Sequence, residues 1–184
     1  DGGDASGSAY VFTRSGGSWN QQQKLTAALD AAATDFFGYS VSVSEDTLIV
    51  GSFGNDDAGS DSGSAYIFTR TGSSWSQQAK LTAQDLAASD EFGISVAVSA
   101  DTVVVGAHQD DNSNGGSNSG SASVFTRTGS SWSQQAKLTA SDAAANDLFG
   151  NSVAISGNTV VVGSSQDNDG GSASGSAYVF IRNG

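Results

Sequence analysis

The stretch Phe92-Gly-Ile-Ser-Val-Ala-Val-Ser-Ala-Asp-Thr-Val-Val-Val-Gly-Ala107 decides how this chain folds. Val96 and Val98 alternate with small residues, Ala100-Asp101 offer a tight turn, and Val103, Val104 and Val105 form a short apolar run. Such a pattern predicts a strand, a hairpin and a second strand that is apolar on both faces. The same pattern stands at Phe37–Ser52 (FGYSVSVSEDTLIVGS) and at Phe149–Ser164 (FGNSVAISGNTVVVGS).

Working outward, each hairpin is followed by a Gly/Ser/Asp-rich loop and a third strand, GSAYIF at Gly63, GSASVF at Gly120 and GSAYVF at Gly175, which also occurs at Gly7. A fourth strand carries Trp19, Trp75 or Trp132 and a run of Gln. The period is about 56 residues, the size of one supersecondary unit that buries its apolar faces only by stacking on its neighbours. Four short strands per period with almost no helix-forming stretch describe a blade of a β-propeller, so the expected fold is all-β, with blades of four antiparallel strands.

The phase of the array divides the chain. Residues 1–30 read as strands three and four of a blade, 35–86 and 90–143 as whole blades, and 147–182 as strands one to three of another. About three blades make an incomplete ring, because propellers close with about 4–8. The expectation is therefore a piece of a longer chain, or a subunit whose open edges pair with a partner protein or with another copy. Because the first residues fall inside a loop of the period, a mature or excised piece is expected.

Composition narrows the partners. Asp and Glu number 19 against 7 Lys and Arg, for a net charge of −12. Nucleic acid and anionic membrane surfaces both require cationic clusters, so neither is expected as a partner. The basic residues recur with the period, Arg14, Arg70, Arg127 and Arg182 at the end of strand three, and Lys24, Lys80 and Lys137 in strand four. Their expected role is structural, as charges that guard strand ends and edges. The absence of Cys rules out disulfides and thiolate sites. No apolar run is long enough to span a membrane as a helix.

Phe-Gly at the start of strand one, followed by a Val-rich strand ending in Gly-Ala or Gly-Ser, resembles the FG-GAP repeat. That resemblance covers nearly the whole chain in three registers. It implies the propeller of integrin α-subunits and of many surface proteins: an extracellular or cell-surface module, non-enzymatic, used for adhesion or as a scaffold. The residues after the second Gly depart from the family pattern, reading Gly51-Ser52-Phe53, Gly106-Ala107-His108 and Gly163-Ser164-Ser165. The family's calcium loop between strands one and two is reduced here to Glu45-Asp46, Ala100-Asp101 and Gly157-Asn158, and its ligands do not carry over.

Acidic residues gather instead after strand two. Asn55-Asp56-Asp57, Asp110-Asp111-Asn112 and Asp167-Asn168-Asp169 align without a gap, with Asp61 further along the first loop. Oxygen-bearing side chains at these ten positions are the candidate ligands of a hard cation, Ca²⁺ being the candidate cofactor. Turn chemistry and solvation account for the same composition. A second acidic set, Asp30 with Asp35, Asp85 with Asp90 and Asp142 with Asp147, brackets the connections between blades and reads as turn-forming.

No catalytic constellation stands out. His108 is the only His and has no counterpart at Phe53 or Ser165, so no nucleophile is offered a repeated base. Assembly or partner binding through acidic loops is the leading functional expectation. A glycan-binding lectin that uses the Trp residues is the alternative, although their place in a repeated strand favours packing.

Overall fold

A computed structural model describes residues 3–183; Asp1 and Gly2, which open the N-terminal segment, and Gly184 lie outside the described residues. Among the described residues, thirteen strands form four antiparallel sheets. The first holds β1 (Ala9–Ser15) and β2 (Ser18–Leu25). The second holds β3 (Ser40–Ser44), β4 (Thr47–Ser52), β5 (Ser64–Thr71) and β6 (Ser74–Leu81) in sequence order. The third repeats this with β7 (Ser95–Ser99), β8 (Thr102–Ala107), β9 (Ser121–Thr128) and β10 (Ser131–Leu138). The fourth holds β11 (Phe149–Ser156), β12 (Thr159–Ser164) and β13 (Ser176–Ile181). Apart from one turn of 3-10 helix at Ala28–Asp30, the described residues contain no helix. The all-β fold of four-stranded meander blades is thus present, and none of the sheets closes into a barrel.

Three apolar cores separate four sheets. Leu48, Val50, Tyr66 and Phe68 meet Val11 and Leu25 of the first sheet. Ile49 and Ile67 emerge on the opposite face and meet Val96, Val98, Val103 and Phe125. Val104 and Ala122 then meet Phe149, Val160 and Val162. This explains why strand two is apolar at successive positions: alternate side chains enter different cores, and every residue of Thr47–Ser52 is buried. Each buried Val or Ile contributes about 1.5–3 kcal/mol.

The Phe-Gly motif works at the seams between blades. Phe92 is fully buried and stacks edge-on against Phe125, their ring centroids 6.1 Å apart. Its backbone forms a parallel bridge with Gly63, at the start of the preceding blade's third strand. Gly93 donates its N–H to the Gly106 carbonyl at 2.9 Å. Gly51 lies against the next blade so closely that a Cβ there would sit 1.9 Å from Gly93 O, and at Gly106 the corresponding distance is 2.0 Å to Gly150 O. The second Gly of the motif is therefore demanded by contact between blades, since overpacking a tight backbone contact has no flexible side chain to absorb it.

Outer strands are tied by a separate device. The pairing of strand three with strand four slips between Ile67 and Phe68, leaving Gln78 as the extra residue of a β-bulge. Gln78 Oε1 accepts the Trp132 indole N–H at 2.8 Å, and Gln22, at the matching bulge, accepts that of Trp75 at 3.1 Å. Within each of these Gln runs, the bulged member latches the following blade. Arg70 lies 5.6 Å from the Trp75 ring centroid and pairs with Asp46, and Arg127 repeats this over Trp132 with Asp101. The Arg residues thus guard strand ends, as their period suggests.

Candidate functional site

The loop after strand two, the connection between blades and the outer strand converge at one end of each blade. In the second sheet, Lys80 of β6 directs its ammonium to Asp30 Oδ2 at 2.6 Å, to Asn55 Oδ1 at 3.2 Å, and to Asp57. In the third, Lys137 of β10 lies 2.5 Å from Asp110 Oδ2 and 2.6 Å from Asp85 Oδ2. Sequence reading assigns these lysines to strand edges; the structure corrects this. They point into acidic loops and stand where a bound cation was expected.

The ten candidate ligands separate into distinct roles. The first position is the loop's buried pivot. Asn55 Oδ1 accepts Ser64 Oγ–H at 2.9 Å, Asp110 Oδ2 accepts Ser121 Oγ–H at 2.5 Å, and Asp167 Oδ2 accepts the Tyr178 hydroxyl at 2.7 Å. The second closes the loop on itself: Asp56 accepts the Asp61 N–H, Asp111 the Asn118 N–H, and Asn168 the Ala173 N–H, at 2.8, 2.8 and 2.7 Å. Those three donors all have φ near +50°, which a side-chain acceptor helps to hold. The third position varies. Asp57 reaches Lys80, whereas Asn112 accepts the Asn114 and Gly115 N–H groups and donates to Gly120 O. Among the described residues, no three His, Asp or Glu side chains converge as a metal-binding group.

The second acidic set also divides. Asp35, Asp90 and Asp147 each accept a backbone N–H three residues earlier, from Ala32, Ala87 and Ala144, at 2.6–2.7 Å. These are turn-forming, as their placement suggests. Asp30, Asp85 and Asp142 instead complete the charged clusters, a role the spacing of the sequence does not reveal.

Electrostatics follow the partners. Burial pushes the Asp30 carboxyl up, but bonds from Lys80 and Tyr66 and the lysine charge outweigh it and leave it below the usual carboxylate range. Lys137 is driven the opposite way by burial, yet Asp110 and Asp85 hold its ammonium above the ordinary lysine value. Asp90 has no such cation bonded to it: burial first, opposed by the Ala87 N–H, and then the Asp110 charge bring it to about 6.

The fourth sheet has the acids without the lysine. Tyr178 OH lies 2.8 Å from Asp142 Oδ1 and 2.7 Å from Asp167 Oδ2, so one hydroxyl serves two carboxylates. Charges on Asp167 and Asp142 raise the Asp169 carboxyl above its ordinary value.

His108 is half-buried near Glu91, 3.7 Å from its carboxylate, and its Nδ1 has no hydrogen-bond partner. Burial lowers its pKa, and no Ser or Thr hydroxyl is hydrogen-bonded to it among the described residues.

A stack of four-stranded blades with a Phe-Gly seam and a second Gly seam defines one class of repeat protein. The FG-GAP repeat matches residues 19–68, 75–125 and 132–180, and the chain belongs to that family. Each matched segment runs from the Trp of one blade's fourth strand to the Phe of the next blade's third. The sequence repeat therefore straddles two sheets. A search of curated proteins gave no match. No helix among the described residues is long and apolar enough to cross a membrane.

Proposed function

We propose that this chain is a non-enzymatic structural or adhesion module of the extracellular space or cell surface, a rigid stack of blades whose acidic loops meet a partner. The observation that carries this reading is the lysine-centred cluster. Lys80 and Lys137 each join a loop after strand two to the connection before their blade, so the loops are held in place by the scaffold itself. Loop tips such as Asp56 and Asp111 remain exposed. Rigid repeats that display fixed polar loops suit recognition between macromolecules.

Calcium enters as a test of this reading. With a lysine ammonium already seated in two of the three loops, melting temperature in chelator is expected to match that in millimolar Ca²⁺. Binding to the native state alone must raise it, and such a rise would support the metal-ligand role of the acidic loops.

Glycan binding through Trp rests on one residue. Trp75 and Trp132 pack within the stack with their indole N–H groups bonded, and only Trp19 is largely exposed. Beads coated with the chain, tested for adhesion to one another and to glycan-coated surfaces, separate the two readings. Adhesion unaffected by free sugars supports the scaffold. Adhesion that sugars abolish, and that Trp19→Ala removes, supports a lectin.

A further inference from the structure

An amine, a carboxamide and two carboxylates meet at one end of the second sheet. Lys80 Nζ lies 3.2 Å from Asn55 Oδ1 and 2.6 Å from Asp30 Oδ2, and it also pairs with Asp57. Lys80 stands opposite Tyr66 in the β5–β6 pairing, its Nζ 5.4 Å from the ring centroid of that fully buried tyrosine. Asn55 is 3% exposed and the Lys80 side chain 20%. Nucleophile and electrophile are thus held together where little water reaches them.

The Asn55 carboxamide is polarised for attack. Besides the lysine, its Oδ1 accepts the Ser64 hydroxyl at 2.9 Å and the Asp57 N–H at 3.4 Å. Donors on that oxygen stabilise the negative charge that develops there when an amine adds to the carbonyl carbon. Only the neutral amine attacks, and a carboxylate bonded to the ammonium is the base that supplies it. Asp30 is fixed in that position by the Tyr66 hydroxyl, which donates to the same Oδ2 at 2.5 Å.

We propose that Lys80 and Asn55 become joined by a side-chain amide bond, made by the chain itself in a single turnover. Nζ gives up two protons by way of Asp30 and Asp57, and its lone pair forms the bond to Asn55 Cγ. The Cγ–Nδ2 bond breaks, and Nδ2 leaves with both protons as an ammonium ion. An ammonium and a primary amide thereby give a secondary amide and free ammonium, with no oxidant or cofactor. The third sheet is the internal comparison. Lys137 meets Asp110 and Asp85 at 2.5 and 2.6 Å, but the first of these is a carboxylate in the place of the Asn55 carboxamide. Its charge repels the incoming lone pair and it has no ammonia to lose, so no bond forms there.

The bond fastens the loop after β4 to the outer strand β6, and by closing a ring of chain it lowers the entropy of the unfolded state. It goes beyond the scaffold reading and does not rest on it.

Mass spectrometry of the full chain under denaturing conditions tests the proposal. The expected mass is that of the sequence less one ammonia. Trypsin is then expected to spare Lys80 and release residues 71–127 branched to residues 25–70, while cutting after Lys137 as usual. Lys80→Arg retains a cation for Asp30 and Asp57 and is expected to show the full sequence mass. Asp30→Asn removes a base at constant size and is expected to lower the bonded fraction roughly tenfold or more; an undiminished fraction overturns the proton relay. Full sequence mass for the unaltered chain, with residues 71–80 released as a separate peptide, overturns the proposal. So does ammonia lost elsewhere, as from Asn114-Gly115, which leaves that peptide free. Either result leaves the scaffold reading standing, since the ion pairs hold the loop without the bond.

Discussion

Lys137 places its ammonium 2.5 Å from Asp110 Oδ2, and both side chains are largely withdrawn from water, at 23% and 10% exposure. Asp110 belongs to the loop after β8 and Lys137 to the outer strand β10, so one ion pair fixes the loop against the edge of its own sheet. Asp85, 2.6 Å from the same ammonium, extends the tie to the connection from the preceding blade.

Removing that ammonium leaves Asp110 with the Ser121 hydroxyl and no cation. A carboxylate stranded in this way costs several kcal/mol when fully buried; at the partial exposure here, Lys137→Met is expected to cost about 2 kcal/mol. Urea denaturation compares it with Lys137→Arg, which should lose less. Equal losses in the two variants would show that the charge is not what matters.

Asp90 gives a pH dependence of known sign. Its folded value of about 6 lies above the ordinary 3.8, so the native state favours the protonated form. Its contribution to stability is complete below pH 3.8 and is lost as pH rises through about 6. Asp90→Asn retains an oxygen that can accept the Ala87 N–H and removes the charge. It is expected to stabilise the chain by about 1 kcal/mol at pH 7, with the advantage vanishing near pH 4. Thermal melting at both pH values checks it, and an Asn variant less stable at pH 7 would refute this.

Gln78→Ala leaves the Trp132 indole N–H without its acceptor across the blade seam. The expected loss is about 1 kcal/mol, together with a change in tryptophan emission. Trp75, bonded to Gln22, is the internal comparison: Gln22→Ala should act similarly on the first seam. Emission unchanged in both variants would mean that the latch is not formed in solution.

Much of the architecture is legible in the chain because it is written at a fixed period. Phe92, Gly93 and Val103–Val105 announce the hairpin, and the recurrence of Trp75 and Trp132 gives the outer strand. The purpose of Gly106 is not legible, because its reason is a carbonyl of the next blade, Gly150 O, that no local pattern identifies. The loop acids are visible as a composition, but composition does not separate Asp111, which closes its own turn, from Asp110, which faces Lys137. Lys137 itself reads as an edge charge, since alternation along a strand gives the face of a side chain and not how far it reaches. Gln78 is hidden by a bulge, which breaks the alternation on which a sequence reading of strand four depends.

The central claim is that blades are locked to one another through backbone contact at the second Gly of the repeat. Gly106→Ala tests it against Gly129→Ala, a hairpin-turn glycine at φ +65° with nothing within 4 Å of an added Cβ. The turn variant is expected to cost about 1 kcal/mol for its left-handed backbone, and the seam variant about 3 kcal/mol or more, because the next blade must move. Equilibrium denaturation of the two variants gives the comparison directly. A Gly106→Ala chain as stable as the Gly129→Ala chain would contradict the seam contact and the stacked scaffold built on it.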